Sequence, residues 1–231
     1  MLSKRVAFTK SAAFATKRWR IRPRAMDESA AHCGGYFGGL SKQQGRLFVI
    51  SASSGTGKTT LARELLKEDK NLVPSISYTT RPPRPTEHNG QDYYFVAKKE
   101  FLQKKNKNGF LEWANVFGRF YGTAKKEVEE HLRRGRDVLL LIDVQGAKKV
   151  KRVRPDAVFI FLAPPSKQEL KRRLEKRGTE SRKEINRRYR VATTELKELN
   201  DLKLCDYRIV NRDIRKAHHI LRAIIQAERI R

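Results

Sequence analysis

The segment from Leu47 to Glu68 limits what this chain can fold into more than any other. Leu47-Phe48-Val49-Ile50 is a short apolar run that leads into Ala52-Ser53-Ser54-Gly55-Thr56-Gly57-Lys58-Thr59, and from Thr59 to Glu68 apolar positions recur at helical spacing. The order is buried strand, glycine-rich loop, helix. In that setting backbone N–H groups and the helix N-terminus cradle phosphates, and glycines permit close approach. A lysine reaches the β and γ phosphates, and a Ser or Thr hydroxyl joins a Mg²⁺ shell. Lys58 and Thr59 stand at those last two positions. The strict spacing asks for glycine at position 52, where this chain has Ala52, and a coincidental glycine turn is the competing reading. The strand before and the helix after favour the phosphate loop, with Ser53, Ser54, Gly55, Thr56, Gly57, Lys58, Thr59 and Thr60 as the nucleotide-binding set and Thr59 as the metal ligand.

Such a loop needs a parallel sheet around it, and the sequence supplies candidates. Val138 to Ile142, Val158 to Leu162 and Tyr207 to Val210 read as further buried strands. Amphipathic helical stretches lie at 125–134, 166–176 and 214–230. Strands alternating with helices predict an α/β fold, a three-layer α/β/α core on a parallel sheet. Between Leu72 and Gly122 the rhythm breaks into Pro, Gly, Tyr and Thr clusters without a long helix, which predicts an inserted β-rich lobe. The carboxylate partner of a phosphate loop stands at the end of another apolar strand, and Asp143 closes Val138-Leu139-Leu140-Leu141-Ile142. A carboxylate there can also do no more than cap the following turn.

Composition excludes several classes. With 39% hydrophobic residues in short runs the chain is globular, and Val138 to Ile142 and Ala157 to Ala163 fall short of the roughly 18 to 20 apolar residues of a membrane span. Cys33 and Cys205 are too few for a disulfide framework, and no Cys/His set has zinc spacing. The 52 basic against 25 acidic residues leave a charge of +27, which implies an anionic partner: nucleotide phosphates, nucleic acid or an anionic surface. Lys4, Arg5, Lys10, Lys17, Arg18, Arg20, Arg22 and Arg24 fall in a stretch without acids. Residues 1–44 therefore read as a basic, flexible extension, with Met26 as an alternative start or an organelle-targeting segment as further readings. His218 and His219 read as surface residues of the last helix.

Ser77-Tyr78-Thr79-Thr80-Arg81-Pro82-Pro83-Arg84-Pro85 holds two arginines among prolines, a fork suited to a phosphate monoester and equally a solvated basic loop. Tyr93 and Tyr121, taken singly, read as core, and Glu112 in Phe110-Leu111-Glu112-Trp113 as a surface carboxylate. Taken in order, these segments change that reading. The phosphate loop, Thr79-Thr80-Arg81-Pro82-Pro83-Arg84, Gly90-Gln91-Asp92-Tyr93, Phe110-Leu111-Glu112-Trp113, Tyr121-Gly122-Thr123, Ile142-Asp143-Val144-Gln145-Gly146 and Arg177-Gly178-Thr179-Glu180 together resemble guanylate kinase, from about Gly45 to the C-terminus.

The resemblance implies one domain over 45–231, with a GMP-binding lobe at 75–123 and a small helical lid at 169–190. It implies transfer of the γ-phosphoryl group of ATP to GMP or dGMP with Mg²⁺. Arg81, Arg84, Tyr93 and Tyr121 would hold the GMP phosphate, while Ser77, Glu112 and Thr123 would address guanine. Lys58, Arg81, Asp143, Arg177 and Arg188 would serve the transfer, with Arg173 a third lid arginine. Guanine presents N1–H and an exocyclic amine side by side, which one carboxylate accepts and adenine lacks. Small-molecule nucleotides, and no specific nucleic acid or membrane, are then the partners of a cytoplasmic monomer or homodimer. The sequence departs from the family at Leu141, where an acid is usual, at Ser53 in place of proline, and at Arg212 in Val210-Asn211-Arg212-Asp213. A partner-binding module of the same fold is the rival reading; retention of Lys58, Gly55 and Gly57 weighs against it.

Overall fold

The structure, a computed structural model, describes residues 44–53, 55–116, 118–176, 182–198 and 205–231. The expectations for residues 1–43, including Cys33, and for Ser54 and Arg177 to Glu180 lie outside the described residues. In chain order the elements are β1 (Leu47–Ala52), α1 (Lys58–Glu68), β2 (Leu72–Pro74), β3 (Tyr78–Thr79), β4 (Tyr94–Phe95), α2 (Lys98–Asn106), β5 (Phe110–Val116), β6 (Arg119–Ala124) and α3 (Lys125–Arg133). They continue with β7 (Asp137–Ile142), α4 (Val144–Val153), β8 (Val158–Ala163), α5 (Lys167–Glu175), α6 (Arg182–Glu198), β9 (Tyr207–Val210) and α7 (Ile214–Arg229).

The strands form two sheets. One is parallel throughout in the order β2-β7-β1-β8-β9; the other runs β4-β3-β6-β5 and is antiparallel except where β3 meets β4. Every residue of β1 and β8 is buried, which is why both read as continuous apolar runs. Alternation along β1 divides the core. Phe48 and Ile50 pack with Leu61 and Leu65 of α1 and Leu221 and Ile225 of α7, while Leu47 and Val49 pack with Val128 and Leu132 of α3 and Ala147 and Val150 of α4. The result is the three-layer α/β/α core. Each fully buried Leu, Ile or Phe contributes about 1.5–3 kcal/mol to it.

The core differs from the expectation in four places. β2, inside the segment read as the insertion, pairs in parallel with β7 and belongs to the main sheet. The insertion carries the nine-residue helix α2, which docks Phe101 against Phe110 and Phe120. Helix α4 was not expected, and α6 runs on to Glu198, beyond the helical lid expected at 169–190. His218 is covered to 12% side-chain exposure beside Glu68, whereas His219 is exposed as read.

Helix starts position the functional loops. Asp143 Oδ1 accepts from Gly146 N at 2.7 Å to start α4, and Asp213 Oδ1 accepts from Lys216 N at 2.9 Å to start α7. Helix α1 instead begins on Gly57 with no side-chain cap and no acidic residue in its first turn, so its leading N–H groups remain open to a ligand. Asn211, at the end of β9, fixes that loop from behind: its amide donates to Thr56 O at 2.7 Å, and its backbone N–H donates to Ala163 O at 2.8 Å. A Cβ on Gly57 would stand 2.7 Å from the Asn211 amide nitrogen, and Gly57 has φ 91°, so glycine is required there twice over.

Asn211→Ala leaves the carbonyl of Thr56 without its buried donor and is expected to destabilise the fold by about 1–3 kcal/mol. A urea titration checks this. An unchanged midpoint would show that the loop holds its shape without β9.

Candidate active site

β1 and β7 are neighbours in the parallel sheet, so the loop after β1 and the residues after β7 open at the same edge. There they form a cleft of about 310 Å³. From the main sheet it is lined by Ser53, Gly55, Thr56, Gly57, Lys58, Thr59, Leu141 and Asp143. Across from these stand Ser77, Tyr93, Glu112 and Tyr121 of the second sheet and its approach, and Arg188 and Glu195 of α6. The structure therefore gathers most of the residues singled out in the sequence around one cavity.

The loop is shaped for an anion. Gly55 and Gly57 both take positive φ, 88° and 91°, and Thr56 Oγ1 donates to Ser53 O at 2.9 Å to close the turn. Ser53 Oγ is buried with no hydrogen-bond partner, an acceptor and donor left for something bound in the loop. Lys58 Nζ donates to the carbonyl of Ile142 at 2.9 Å. Burial lowers the pKa of this ammonium, and the negative charges of Asp143, Glu195 and Glu112, in that order, oppose the shift. Thr59 and Thr60 follow on the exposed first turn of α1, and Thr59 faces the cleft. Asp143 caps α4 and also lines the cleft.

Glu112 is not a surface residue. It is 6% exposed on β5, and its Oε1 accepts from Thr123 Oγ1 at 2.8 Å. Thr123 on β6 is itself fully buried and stands behind Glu112 instead of lining the cleft. Gly146 makes room for the arrangement, since a Cβ there would approach Glu112 Oε2 to 3.1 Å and Asp143 Oδ1 to 3.3 Å. Desolvation is the main cause that pushes the Glu112 carboxyl up to about 7; the nearby Asp143 adds to the shift, and the Thr123 hydroxyl opposes it.

The arginine fork is held by its own loop, with Arg81 partly buried and the Arg84 side chain exposed. Arg81 donates from Nη1 and Nη2 to the two oxygens of Glu87 at 2.5 and 2.6 Å, and from Nη1 to Pro82 O at 2.9 Å. Arg84 adds its backbone N–H to Glu87 at 2.8 Å and its guanidinium at 3.7 Å. The Arg81 guanidinium also stands 4.9 Å from the Tyr93 ring centre and 5.4 Å from that of Phe95. Tyr93 and Tyr121 line the cleft; Arg81 packs against Tyr93, and neither Arg81 nor Arg84 lines the cleft. Sequence reasoning passed over Glu87, although an acid three residues after Arg84 is the one local group able to hold both arginines.

From α6, Arg188, Val191, Ala192 and Glu195 face the cleft at spacings of three, four and seven, one face of a helix. Arg177, the other expected transfer arginine, lies outside the described residues. Arg173 does not line the cleft; it donates to Glu169 at 2.8 Å and to Asn211 O at 3.1 Å and so ties α5 to the phosphate loop. Among the described residues no group of three or more His, Cys, Asp or Glu could hold a metal by itself, and no helix is long and apolar enough to cross a membrane.

Residues 44–228 match the sequence model of the guanylate kinase family. A guanylate kinase of Dechloromonas aromatica is 48% identical over 183 residues, 79% of this chain and 89% of that protein. One of Thermotoga maritima is 44% identical over 186 residues, 80% of this chain and 88% of that protein. Among solved structures, guanylate kinase from Anaplasma phagocytophilum superimposes with a TM-score of 0.67 at 36% identity, covering 83% of this chain and 90% of that one.

The raised pKa of Glu112 has a consequence for stability. Its folded value of about 7 exceeds the ordinary 4.5, so the native state keeps a proton that the unfolded state has released. Stability from this group is full below 4.5 and is lost as pH rises through about 7, on the order of 3 kcal/mol over the window. Glu112→Gln removes the titration. The difference in melting temperature between the variant and the natural protein is expected to grow in the variant's favour from pH 5 to pH 8; a difference independent of pH would contradict the assignment.

Proposed function

The chain belongs to the guanylate kinase family, and we propose that it transfers the γ-phosphoryl group of ATP to GMP in the cleft between phosphate loop and second sheet. The observation that carries this reading is the placement of a buried carboxylate, Glu112, across one cavity from an open helix N-terminus with its lysine. The first accepts a pair of donors from a base, and the second accepts phosphates.

In this reading the acceptor binds between Ser77, Glu112 and the two tyrosines. The Glu112 carboxylate, backed by Thr123, takes the N1–H and exocyclic amine of guanine. Adenine, with an acceptor at N1, would leave that carboxylate desolvated and unpaired, which is the stronger kind of discrimination. Leu141 lines the same cleft and accepts no hydrogen bond, so base choice rests on fewer acceptors than the family pattern supplies. dGMP presents the same base edge and phosphate and is a second acceptor on the same grounds. The acceptor's phosphate lies by Tyr93 and Tyr121, where Arg81, packed against Tyr93, and Arg84 from the same loop would reach it. Glu87 engages the end of the Arg81 guanidinium, which leaves N–H groups on Nε and Nη2 for phosphate oxygens.

The donor's phosphates take the loop, where Lys58 exchanges the Ile142 carbonyl for phosphate oxygen and Arg188 adds positive charge from α6. Phosphoryl transfer asks the protein for positioning and charge neutralisation, which these groups supply. The residues also fit Mg²⁺. The Thr59 hydroxyl and the Asp143 carboxylate offer hard oxygens on one cleft without a closed protein cage, the arrangement that suits an ion bound largely through phosphates and water. An ion held there by Thr59 and Asp143 would offset the charge on the phosphates. We assign residues 75–123 to the acceptor lobe and 169–190 to the lid.

Lys58→Ala tests the reading. The variant is expected to keep its circular dichroism and lose about two to three orders of magnitude in kcat. A folded variant with natural turnover would overturn the phosphate-loop assignment.

A further inference from the structure

The carboxylate that faces the cleft from β5 stands at a weak point of its sheet. β5 is the outer strand in the order β4-β3-β6-β5, so backbone groups on its open side have no strand to pair with. Its register against β6 also slips between Phe110 and Glu112, a bulge that loosens the ladder directly before the Glu112 side chain. Something outside the sheet must hold this stretch if Glu112 is to keep one place. Lys149 of α4 does so. Its Nζ donates to the backbone carbonyl of Trp113, the residue after Glu112, and stands 4.6 Å from the centre of the Trp113 ring. Lys105 of α2 stands 3.9 Å from the centre of the same ring, so Trp113 meets one cation from the main core and another from its own lobe. Gly146 and Lys149 are three residues apart on one face of α4. The first leaves room for the Glu112 carboxylate, and the second grips the next residue of the strand.

Resting on the reading that Glu112 receives guanine, we propose that Lys149 is a positioning residue for the acceptor base: by tying Trp113 to α4 it fixes the Glu112 carboxylate across the cleft from the phosphate loop. Helix α4 starts directly after Asp143, at the carboxyl end of β7, so a strand gripped by this helix is referenced to the same sheet edge that holds Lys58. The pairing of β5 with β6 cannot supply that reference, since both strands belong to the second sheet and shift together. Without Lys149 the Trp113 carbonyl turns to water, and the bulge lets Glu112 drift from the geometry that two hydrogen bonds to one base require. The ammonium brings charge as well. After desolvation, the Thr123 hydroxyl and Asp143, it is the next influence on Glu112, and it favours the carboxylate, the form that accepts both guanine donors. Lys149 does not line the cleft, so its effect falls on acceptor binding and not on the transferring phosphoryl group.

The experiment is steady-state kinetics on the full chain, with GMP and ATP varied in turn. Lys149→Met keeps the apolar stem and loses the donor and the charge. It is expected to raise the Michaelis constant for GMP about five- to twentyfold, with that for ATP changed by less than about twofold and kcat by less than about threefold. Lys149→Arg, which can donate to the carbonyl and stack on the ring, is expected to stay within about threefold of the natural value for GMP. Lys149→Gln, one bond shorter and uncharged, is expected to show the same rise as the methionine variant and serves if that variant folds poorly. In a Glu112→Gln background, Lys149→Met is expected to add less than about twofold. An unchanged Michaelis constant for GMP in a folded Lys149→Met variant overturns the proposal. So does an equal rise for GMP and ATP, the mark of a general loosening, or an equal rise with and without the Glu112 carboxylate. If Glu112→Gln alone leaves the constant for GMP at its natural value, the guanine reading fails and the proposal with it.

Discussion

The bond from Lys58 Nζ to the carbonyl of Ile142 joins the first turn of α1 to the carboxyl end of β7, and the rest of the site is arranged around it. An ammonium withdrawn from water must be matched, or burial drives off its proton. Matching it here requires β7 beside β1, which the parallel pairing of Leu47 with Val138 through Ser51 with Ile142 secures. The same pairing puts Asp143 at the cleft and starts α4 directly after it. Gly146, in the first turn of α4, then leaves space for Glu112 to reach in from the second sheet. One contact therefore ties together the loop, the main sheet and the buried carboxylate of Glu112.

Around that contact the two halves of the cleft use opposite electrostatics. On one wall the Glu112 carboxyl is kept nearly dry, and its raised pKa measures the cost of that burial. The cations are prepaired: Arg81 and the backbone of Arg84 rest on Glu87 of their own loop, and Lys58, at the phosphate loop, rests among carboxylates. Prepairing keeps flexible cations from wandering and lets an incoming phosphate meet a fixed geometry. The pairing of Arg81 depresses the pKa of Glu87, so the fork stays charged across the neutral range.

Much of this was legible in the sequence, and the omissions have physical causes. β1 and β8 are buried at every residue and β7 at all but Leu141, and their apolar runs announced them. β2 is three residues ending in Pro74, too short to stand out from the turns around it. Helix α4 starts Val144-Gln145-Gly146, where a glycine demanded by Glu112 and Asp143 obscures the helical period, and α6 buries little beyond Ile185 and Ala192 behind a run of arginines. Single residues were harder. Glu112 is unremarkable until β5 and β6 enclose it, where its carboxylate accepts from Thr123. The ordered set of motifs carried what periodicity could not: of the residues it singled out, Ser77, Tyr93, Glu112 and Tyr121 line the cleft, while Arg81, Arg84 and Thr123 do not.

The central claim is that one cleft pairs a phosphate loop with a carboxylate that reads guanine. A coupled assay of ADP release from ATP, run with GMP, dGMP, AMP, CMP and UMP, tests it most directly. The account predicts kcat/KM for GMP at least about a hundredfold above that for AMP, the scale on which a site built for hydrogen-bond donors rejects a base lacking them. Equal use of AMP, or no turnover with GMP, would contradict it.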